Sequence, residues 1–219
     1  MQNVKQLMGG VKNSLKPYYH KLQRLCKWYR RIGLKCKDFT IISNNCAGGY
    51  VYQYFGIPYC TPTEGIGFCV DDYMKIIKNP RHYFTQELRF ICPETTERYK
   101  NGEHFTYPVA RIDDVTVYFR HYPTRYEAEK KWVRRCSRMN FDRVFFLLTE
   151  SETMRDEHII QFSDFIRLSK NKGTLLTVKK VNLPNILTVQ NVPIENGVIL
   201  WHPKIIINTL DWKKILNNL

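Results

Sequence analysis

No acidic residue precedes Asp38 in this chain of 219 residues, yet ten Lys and Arg fall within positions 1–37. The net charge of +14 is therefore uneven: beyond position 37 there are 24 basic and 20 acidic groups. That near balance weakens any reading in which the whole fold tracks a nucleic-acid backbone, and nucleic acid is not an expected partner. The seven cysteines (Cys26, Cys36, Cys46, Cys60, Cys69, Cys92 and Cys136) contain no C-x-x-C pair. Their odd number and wide spacing exclude a zinc ribbon and a disulfide framework, so free thiols in a reducing cytoplasm are expected. No window of 18 apolar residues exists to cross a bilayer, and the first residues lack the apolar core of a signal peptide. Walker and G-x-G-x-x-G patterns, internal repeats and low-complexity tracts are also missing. Core-forming residues are plentiful: hydrophobics make up 43% and aromatics 14%, which excludes a mainly disordered chain.

Residues 1–14 read as a leader broken at Gly9-Gly10. From Leu15 to Gly33 the apolar residues Leu15, Tyr18, Tyr19, Leu22, Leu25, Cys26, Tyr29 and Ile32 recur at helical spacing between basic ones. Two fates are open to this basic amphipathic helix. Its stripe docks on the domain, or residues 15–35 lie on an anionic membrane surface. The expected organisation is a leader and helix over 1–36 and a single domain over 37–219.

The rest alternates strand and helix. Phe39–Ser43 is a buried strand, followed by the loop Asn44–Gly49 and a helix from Tyr50 to Phe55. Helices are expected at Val70–Lys78 and His82–Leu88. Tyr107–Ile112 and Val115–His121 flank Asp113-Asp114 as a hairpin. Thr124 and Glu127 form a capping box for a helix to Arg138. Strands follow at Arg143–Leu148 and Thr174–Lys179 around the helix Asp156–Leu168, with Ser151 or Thr153 as its cap. Short strands near Ile186–Val189 and Val198–Trp201 precede a last helix from about Asn208. The expected fold is α/β: a three-layer Rossmann-like domain whose sheet is made mixed by the hairpin. In such sheets ligands sit beyond the carboxyl ends of the strands.

That rule points first at Ser43-Asn44-Asn45-Cys46-Ala47-Gly48-Gly49. The asparagines can cap backbone groups or bind a ligand, and the glycines allow close backbone approach. Cys46, at a helix start, is expected to have a depressed thiol pKa and to be a candidate nucleophile. Alternatively the loop is a substrate pocket or a structural turn. His121, at the end of a strand, is a candidate general base, with a rim or core histidine as the alternative. Trp132, Arg135 and Arg138 share a helix face, so Arg135 can contact an anion beside Trp132. Asp71 and Asp72 are either acids favoured by a helix N-terminus or ligands for a metal that holds a pyrophosphate; no other metal set is seen.

Taken together, I-S-N-N-C-A-G-G-Y-V-Y (42–52), G-I-P-Y-C-T-P-T-E-G (56–65), D-D-Y-M-K (71–75), Y-P-V (107–109), F-R-H-Y (119–122), E-A-E-K-K-W-V-R-R (127–135) and R-M-N-F-D (138–142) resemble a bacterial family, domain of unknown function 1919. The resemblance covers about 38–180. Members are often labelled exopolysaccharide biosynthesis proteins, which implies a setting in capsule or lipopolysaccharide assembly without supplying a reaction or catalytic residues. Relatives tend to carry an aromatic at position 47 and a polar residue at position 60, where this chain has Ala47 and Cys60.

The resulting expectation is a cytoplasmic protein, peripheral at the inner membrane face, acting as an acyl- or glycosyltransferase on a sugar or lipid-linked glycan. Cys46 and His121 would do the chemistry. Asn44, Asn45, Gly48, Gly49, Arg135 and Trp132 would bind substrate. His121 either deprotonates Cys46 for covalent transfer or activates the sugar hydroxyl directly. A metal-dependent glycosyltransferase using Asp71 and Asp72 and a non-enzymatic adaptor of the assembly machinery are the alternatives. The cofactor is unknown.

Overall fold

The computed structural model describes residue 18 and residues 21–219. The expected leader and the first turn of the basic helix, residues 1–17, lie outside the described residues. Helix α1 spans residues 21–31. It is followed by β1 (Thr40–Ser43), α2 (Ala47–Phe55), α3 (Val70–Lys78), α4 (Pro80–Thr85), β2 (Arg89–Ile91) and α5 (Glu97–Lys100). Then come β3 (Val109–Ile112), β4 (Val115–Tyr118), α6 (Arg125–Cys136), β5 (Val144–Thr149), α7 (Asp156–Leu168) and β6 (Lys172–Thr177). The chain ends with β7 (Ile186–Thr188), β8 (Ile194–Glu195), β9 (Val198–Ile199), α8 (Pro203–Thr209) and α9 (Trp212–Asn217).

The protein is α/β, built on a parallel four-stranded sheet in the order β1-β5-β6-β7. Both faces are covered, so its strands are apolar runs rather than alternating ones. Phe39, Ile41, Phe145, Leu147 and Leu176 face α2, α8 and α9, which contribute Val51, Phe55, Ile206, Trp212 and Leu216. Ile42, Phe146, Leu148 and Leu175 face the opposite way, onto Tyr73 and Ile77 of α3 and Phe162 and Ile166 of α7.

The expected mixed sheet is corrected. The hairpin β3–β4 pairs with β2 in a separate antiparallel sheet, which lies against α3 instead of joining the parallel strands. The hairpin's two-residue turn carries Asp113 at φ 54°, as that turn chemistry requires. β8 and β9 form a third, two-stranded sheet. The last helix is two helices, broken at Leu210. Thr124 caps α6 by accepting from the Glu127 backbone N–H at 3.2 Å. α7 is capped not from Ser151 or Thr153 but at Arg155.

Helix α1 sits on the α2 end of the molecule with an orientation the stripe does not foretell. Its basic side turns inward: Arg30 donates to the Tyr54 carbonyl at 3.3 Å and Arg31 to the Gly56 carbonyl at 3.2 Å. These are the last carbonyls of α2, where the helix dipole favours cations. Its apolar stripe turns out, with Tyr18 73%, Leu22 59%, Leu25 54%, Tyr29 72% and Ile32 50% exposed. The segment after α1 is tied to the body by buried Leu34 and by Asn217, which bonds both Gly33 and Lys35 at 2.8 Å. No described helix is long and apolar enough to cross a membrane.

Candidate functional site

The carboxyl ends of β1 and β5 are latched together by asparagine. Asn44 Nδ2 donates to the Thr149 carbonyl at 2.9 Å, while its Oδ1 accepts from the Thr149 N–H at 3.0 Å and from its hydroxyl at 3.2 Å. Asn45 Nδ2 donates to Thr149 Oγ1 at 2.7 Å, and its Oδ1 accepts from Ala47 N–H at 2.9 Å. Both amides are thus used inside the protein, the first of them buried. Gly48 allows α2 to lie on β1, because a Cβ there would fall 2.9 Å from Ile41 Cγ2 and Ser43 Oγ. These three residues act as architecture: they fix where α2 starts.

Cys46 follows the latch as the residue before α2. Its Sγ lies 3.3 Å from the Tyr50 hydroxyl, one turn on. The expected depression of this thiol is corrected. Burial pushes it up, the bond to Tyr50 pulls it part of the way back, and the charge of Glu64 raises it further. Desolvation outweighs the helix dipole, so the thiol stays protonated at neutral pH.

Glu64 is the residue that sequence reasoning missed. It lies in the turn of residues 62–65, within the segment that reads as a plain structured loop. The turn is fixed from several sides. Thr63 Oγ1 lies 3.2 Å from Ser43 Oγ, Gly67 bridges Tyr118 of β4, and the His121 N–H donates to the Gly65 carbonyl at 3.1 Å. Gly65 is at φ 78°, and a Cβ there would meet the Tyr122 ring at 2.9 Å, so both conformation and space call for glycine. The Glu64 carbonyl accepts from Tyr122 Oη and Arg135 Nη1, each at 2.8 Å. Arg135 also donates to Tyr122 Oη, and its guanidinium stacks on Tyr59 at 4.9 Å from the ring centroid.

The side chain of Glu64 crosses to the first turn of α2. A Cβ on Gly49 would fall 1.4 Å from Glu64 Oε2, so the carboxyl rests on the bare glycine backbone. Gln53 Nε2 reaches Oε1 at 3.5 Å, the outer limit of a hydrogen bond. Oε2 is buried with no partner among the described residues, as is Nε of Arg135. Burial raises the Glu64 carboxyl above its ordinary range, and the Arg135 charge and the Gln53 bond recover only part of that. A half-buried carboxyl with one buried, unused oxygen and an elevated pKa is a candidate acid–base group.

The turn of residues 62–65 brings together three of the sequence-predicted residues, Gly49, Arg135 and Cys46. Gly49 touches Glu64, Arg135 holds the Glu64 carbonyl, and Cys46 feels its charge. His121 backs onto Gly65, its Cβ 3.4 Å from where a Gly65 Cβ would lie. It does not end a strand, however: β4 stops at Tyr118, and 119–122 turn back through Tyr122 N–H to the Phe119 carbonyl at 3.1 Å. The imidazole is exposed and makes no hydrogen bond among the described residues. Trp132 lies in the core, 3% exposed, against Phe84 and Phe119.

The paired acids are divided. Asp71 takes a bidentate bond from Arg155 at 2.7 and 3.0 Å and a bond from His158 Nε2 at 3.0 Å. Asp72 Oδ2 accepts from the Thr116 N–H at 3.0 Å, and its Oδ1 lies 3.4 Å from Lys75. With separate partners they do not form a shared ligand set, and no metal-binding cluster occurs among the described residues. Asp71–His158 looks like a catalytic dyad, but His158 Nδ1 accepts from the Arg155 backbone N–H at 3.0 Å. That bond occupies the nitrogen a general base would need.

A family model described as Domain of unknown function (DUF1919) matches residues 19–206, which include α1, the Asn44–Gly49 loop, Glu64 and Arg135. The chain belongs to the DUF1919 family. This DUF1919 member is also similar to an uncharacterized protein of Haemophilus influenzae strain Rd, 29% identical over 126 residues. The match covers 58% of this chain and 56% of that protein, so the DUF1919 chain corresponds to about half of its relative's length.

Proposed function

We propose that this DUF1919 protein is a transferase of surface-polysaccharide assembly that modifies a sugar or lipid-linked glycan, with Glu64 as general base. The four parallel strands with helices on both faces support a Rossmann-like, three-layer reading of the fold. On that reading the carboxyl ends of β1 and β5 are where substrate approaches. The observation that carries the reaction is the buried, unpartnered Oε2 of Glu64 on the Gly49 backbone. An elevated carboxyl is a better base than an exposed one, and it loses less solvation when it takes a proton. Glu64 would remove the proton of an acceptor hydroxyl. The oxygen would then attack the donor carbon, and the leaving group would depart with its bonding pair. Glu64 takes the place of His121 as base because nothing orients the His121 imidazole, whereas the Glu64 turn is held by Tyr122 and Arg135. The protonated Cys46 favours direct activation over a covalent intermediate. Tyr50 and Tyr59 lie beside the same turn, close enough to feel the Glu64 charge.

The test is complementation of a gene deletion in the native host, with surface polysaccharide quantified. E64Q is expected to lose output while the protein remains folded, and C46S to keep it. Full output from E64Q would overturn the reading. The outward stripe of α1 favours a second reading, a membrane-peripheral adaptor, in which an α1 variant loses output and E64Q does not.

A further inference from the structure

Helix α1 turns a cationic face toward α2, and the two helices enclose a groove of about 460 Å³. Arg24, Lys27 and Arg31 form one wall; their spacing of three and four residues puts them on one side of the helix. Gln53, Gly56 and Tyr59 belong to the opposite wall, and no acidic residue lines the groove. Arg31 is explained by the Gly56 carbonyl it holds. Arg24 and Lys27 are not: neither has an ion-pair partner among the described residues. The stem of Lys27 crosses Gly56, where a Cβ would fall 2.6 Å from Lys27 Cδ. The stem of Lys27 thus lies across a glycine at φ 63°, a conformation that L side chains rarely adopt.

This groove is continuous with the Glu64 site. Gln53 lines it and also reaches Glu64 Oε1 at 3.5 Å. Tyr59 lines it and also carries the Arg135 guanidinium on its ring. A cationic, acid-free cleft of ordinary ligand size that shares two residues with the half-buried Glu64 carboxyl has the form of a substrate site split into a charged part and a reacting part.

We infer that the Arg24–Lys27–Arg31 groove binds the phosphate or diphosphate of a substrate whose other end reaches Glu64. The assignment of that anion as substrate rests on the transferase reading above; the existence of the anion site does not. Two sources share the chemistry, a nucleotide-linked sugar and a lipid-linked one.

The full chain is titrated by calorimetry with inorganic pyrophosphate, uridine diphosphate and farnesyl diphosphate. The variants are R24A/K27A, the charge-keeping R24K/K27R, and E64Q. At least one diphosphate is expected to bind the wild type and to bind R24A/K27A at least tenfold more weakly, with R24K/K27R, which keeps both charges, binding more tightly than R24A/K27A. The tightest of the three names the source. E64Q is expected to bind as wild type does, so failure of Glu64 as base leaves this result standing. If no diphosphate binds the wild type, or R24A/K27A binds as tightly, the inference is overturned. Matching far-ultraviolet circular dichroism and melting temperature show that R24A/K27A is folded.

Discussion

The Glu64 carboxyl rests on the backbone of Gly49: any side chain at position 49 would begin 1.4 Å from Glu64 Oε2. The pair joins the first turn of α2 to the turn at 62–65, which β1, β4 and α6 also hold. G49A must therefore expel the carboxylate or shift the helix; because the clash is with the far end of a flexible side chain, expulsion is the cheaper route and the change in stability is small. The expected result is a Glu64 carboxyl returned toward its ordinary pKa in G49A, read from stability against pH for G49A and for the double variant G49A/E64G. A pH dependence of G49A equal to that of wild type would show that the two residues do not meet.

The raised pKa of Glu64 fixes a sign for stability against pH. A carboxyl whose folded pKa lies above its unfolded one holds a proton longer in the native state. Between the two values the folded state binds more protons, so stability falls as pH rises through that window. Relative to E64Q, the wild type should lose stability from the ordinary glutamate range upward and hold a constant deficit once the carboxyl is ionised. Paired denaturation curves at a series of pH values measure this. A difference that does not change with pH would remove the basis for Glu64 as base.

Asp71 has the opposite sign. Arg155 and then His158 hold its carboxyl at about 2, against an ordinary 3.8. Its contribution is fully present above about pH 4 and disappears as pH falls through about 2. The side chain is 54% exposed, so solvent screening reduces the benefit to less than about 1 kcal/mol. D71N should be slightly less stable than wild type at neutral pH, with the two curves meeting near pH 2. Because the pair does not bind a metal in this reading, chelator should leave both melting temperatures unchanged.

Legibility in the sequence followed the range of the interactions. β1, α2 and the parallel strands were readable because Phe39–Ser43 and Arg143–Leu148 are apolar on both faces, which is a local signal. The Thr124 cap was readable for the same reason. The separate hairpin sheet was not, since nothing in Tyr107–His121 says which strand edge it will meet; β2, three residues long, left too short a pattern. Among the site residues, the Asn44–Gly49 stretch was found, but it is not all loop: Ala47–Gly49 form the first turn of α2, and its asparagines are spent on Thr149, 105 and 104 residues away. Glu64 was overlooked because its character comes from Gly49 and Arg135, neither adjacent in sequence. The one available signal was an acid between Pro62 and two glycines, Gly65 and Gly67, in a loop otherwise free of charge. The outward turn of the α1 stripe was also illegible, since helical periodicity identifies a face but not its partner.

The Asn44 latch carries a stability prediction independent of function. Removing its amide leaves the buried Thr149 N–H and carbonyl unpaired, each costing about 1–3 kcal/mol. N44A should lose about 2–4 kcal/mol in urea denaturation, allowing for partial relaxation. N45A, whose amide is only partly buried, should lose about 1 kcal/mol. If N44A were no worse than N45A, the join between β1 and β5 would not depend on this side chain.

The outward stripe of α1 predicts binding to anionic lipid. Tyr18, Leu22, Leu25, Tyr29 and Ile32 follow spacings of four and three, so they form one line along the helix. No acid interrupts the flanking residues, and a lysine near an anionic surface adds about 1 kcal/mol; exposed Lys21, next to Leu22, is placed for this, whereas Arg24, Lys27, Arg30 and Arg31 face inward. Trp28, 59% exposed, widens the line with an aromatic suited to the headgroup level. Wild type should co-sediment with vesicles of phosphatidylglycerol and not with those of phosphatidylcholine, and high salt should release part of it. L22E/L25E puts two charges into the apolar face and should abolish sedimentation while leaving the melting temperature unchanged, because both side chains are exposed. R24A/K27A removes charge from the opposite face, so it should weaken diphosphate binding far more than vesicle binding. Equal loss of both in R24A/K27A would mean that α1 does not keep the inward cationic face and outward apolar face seen here.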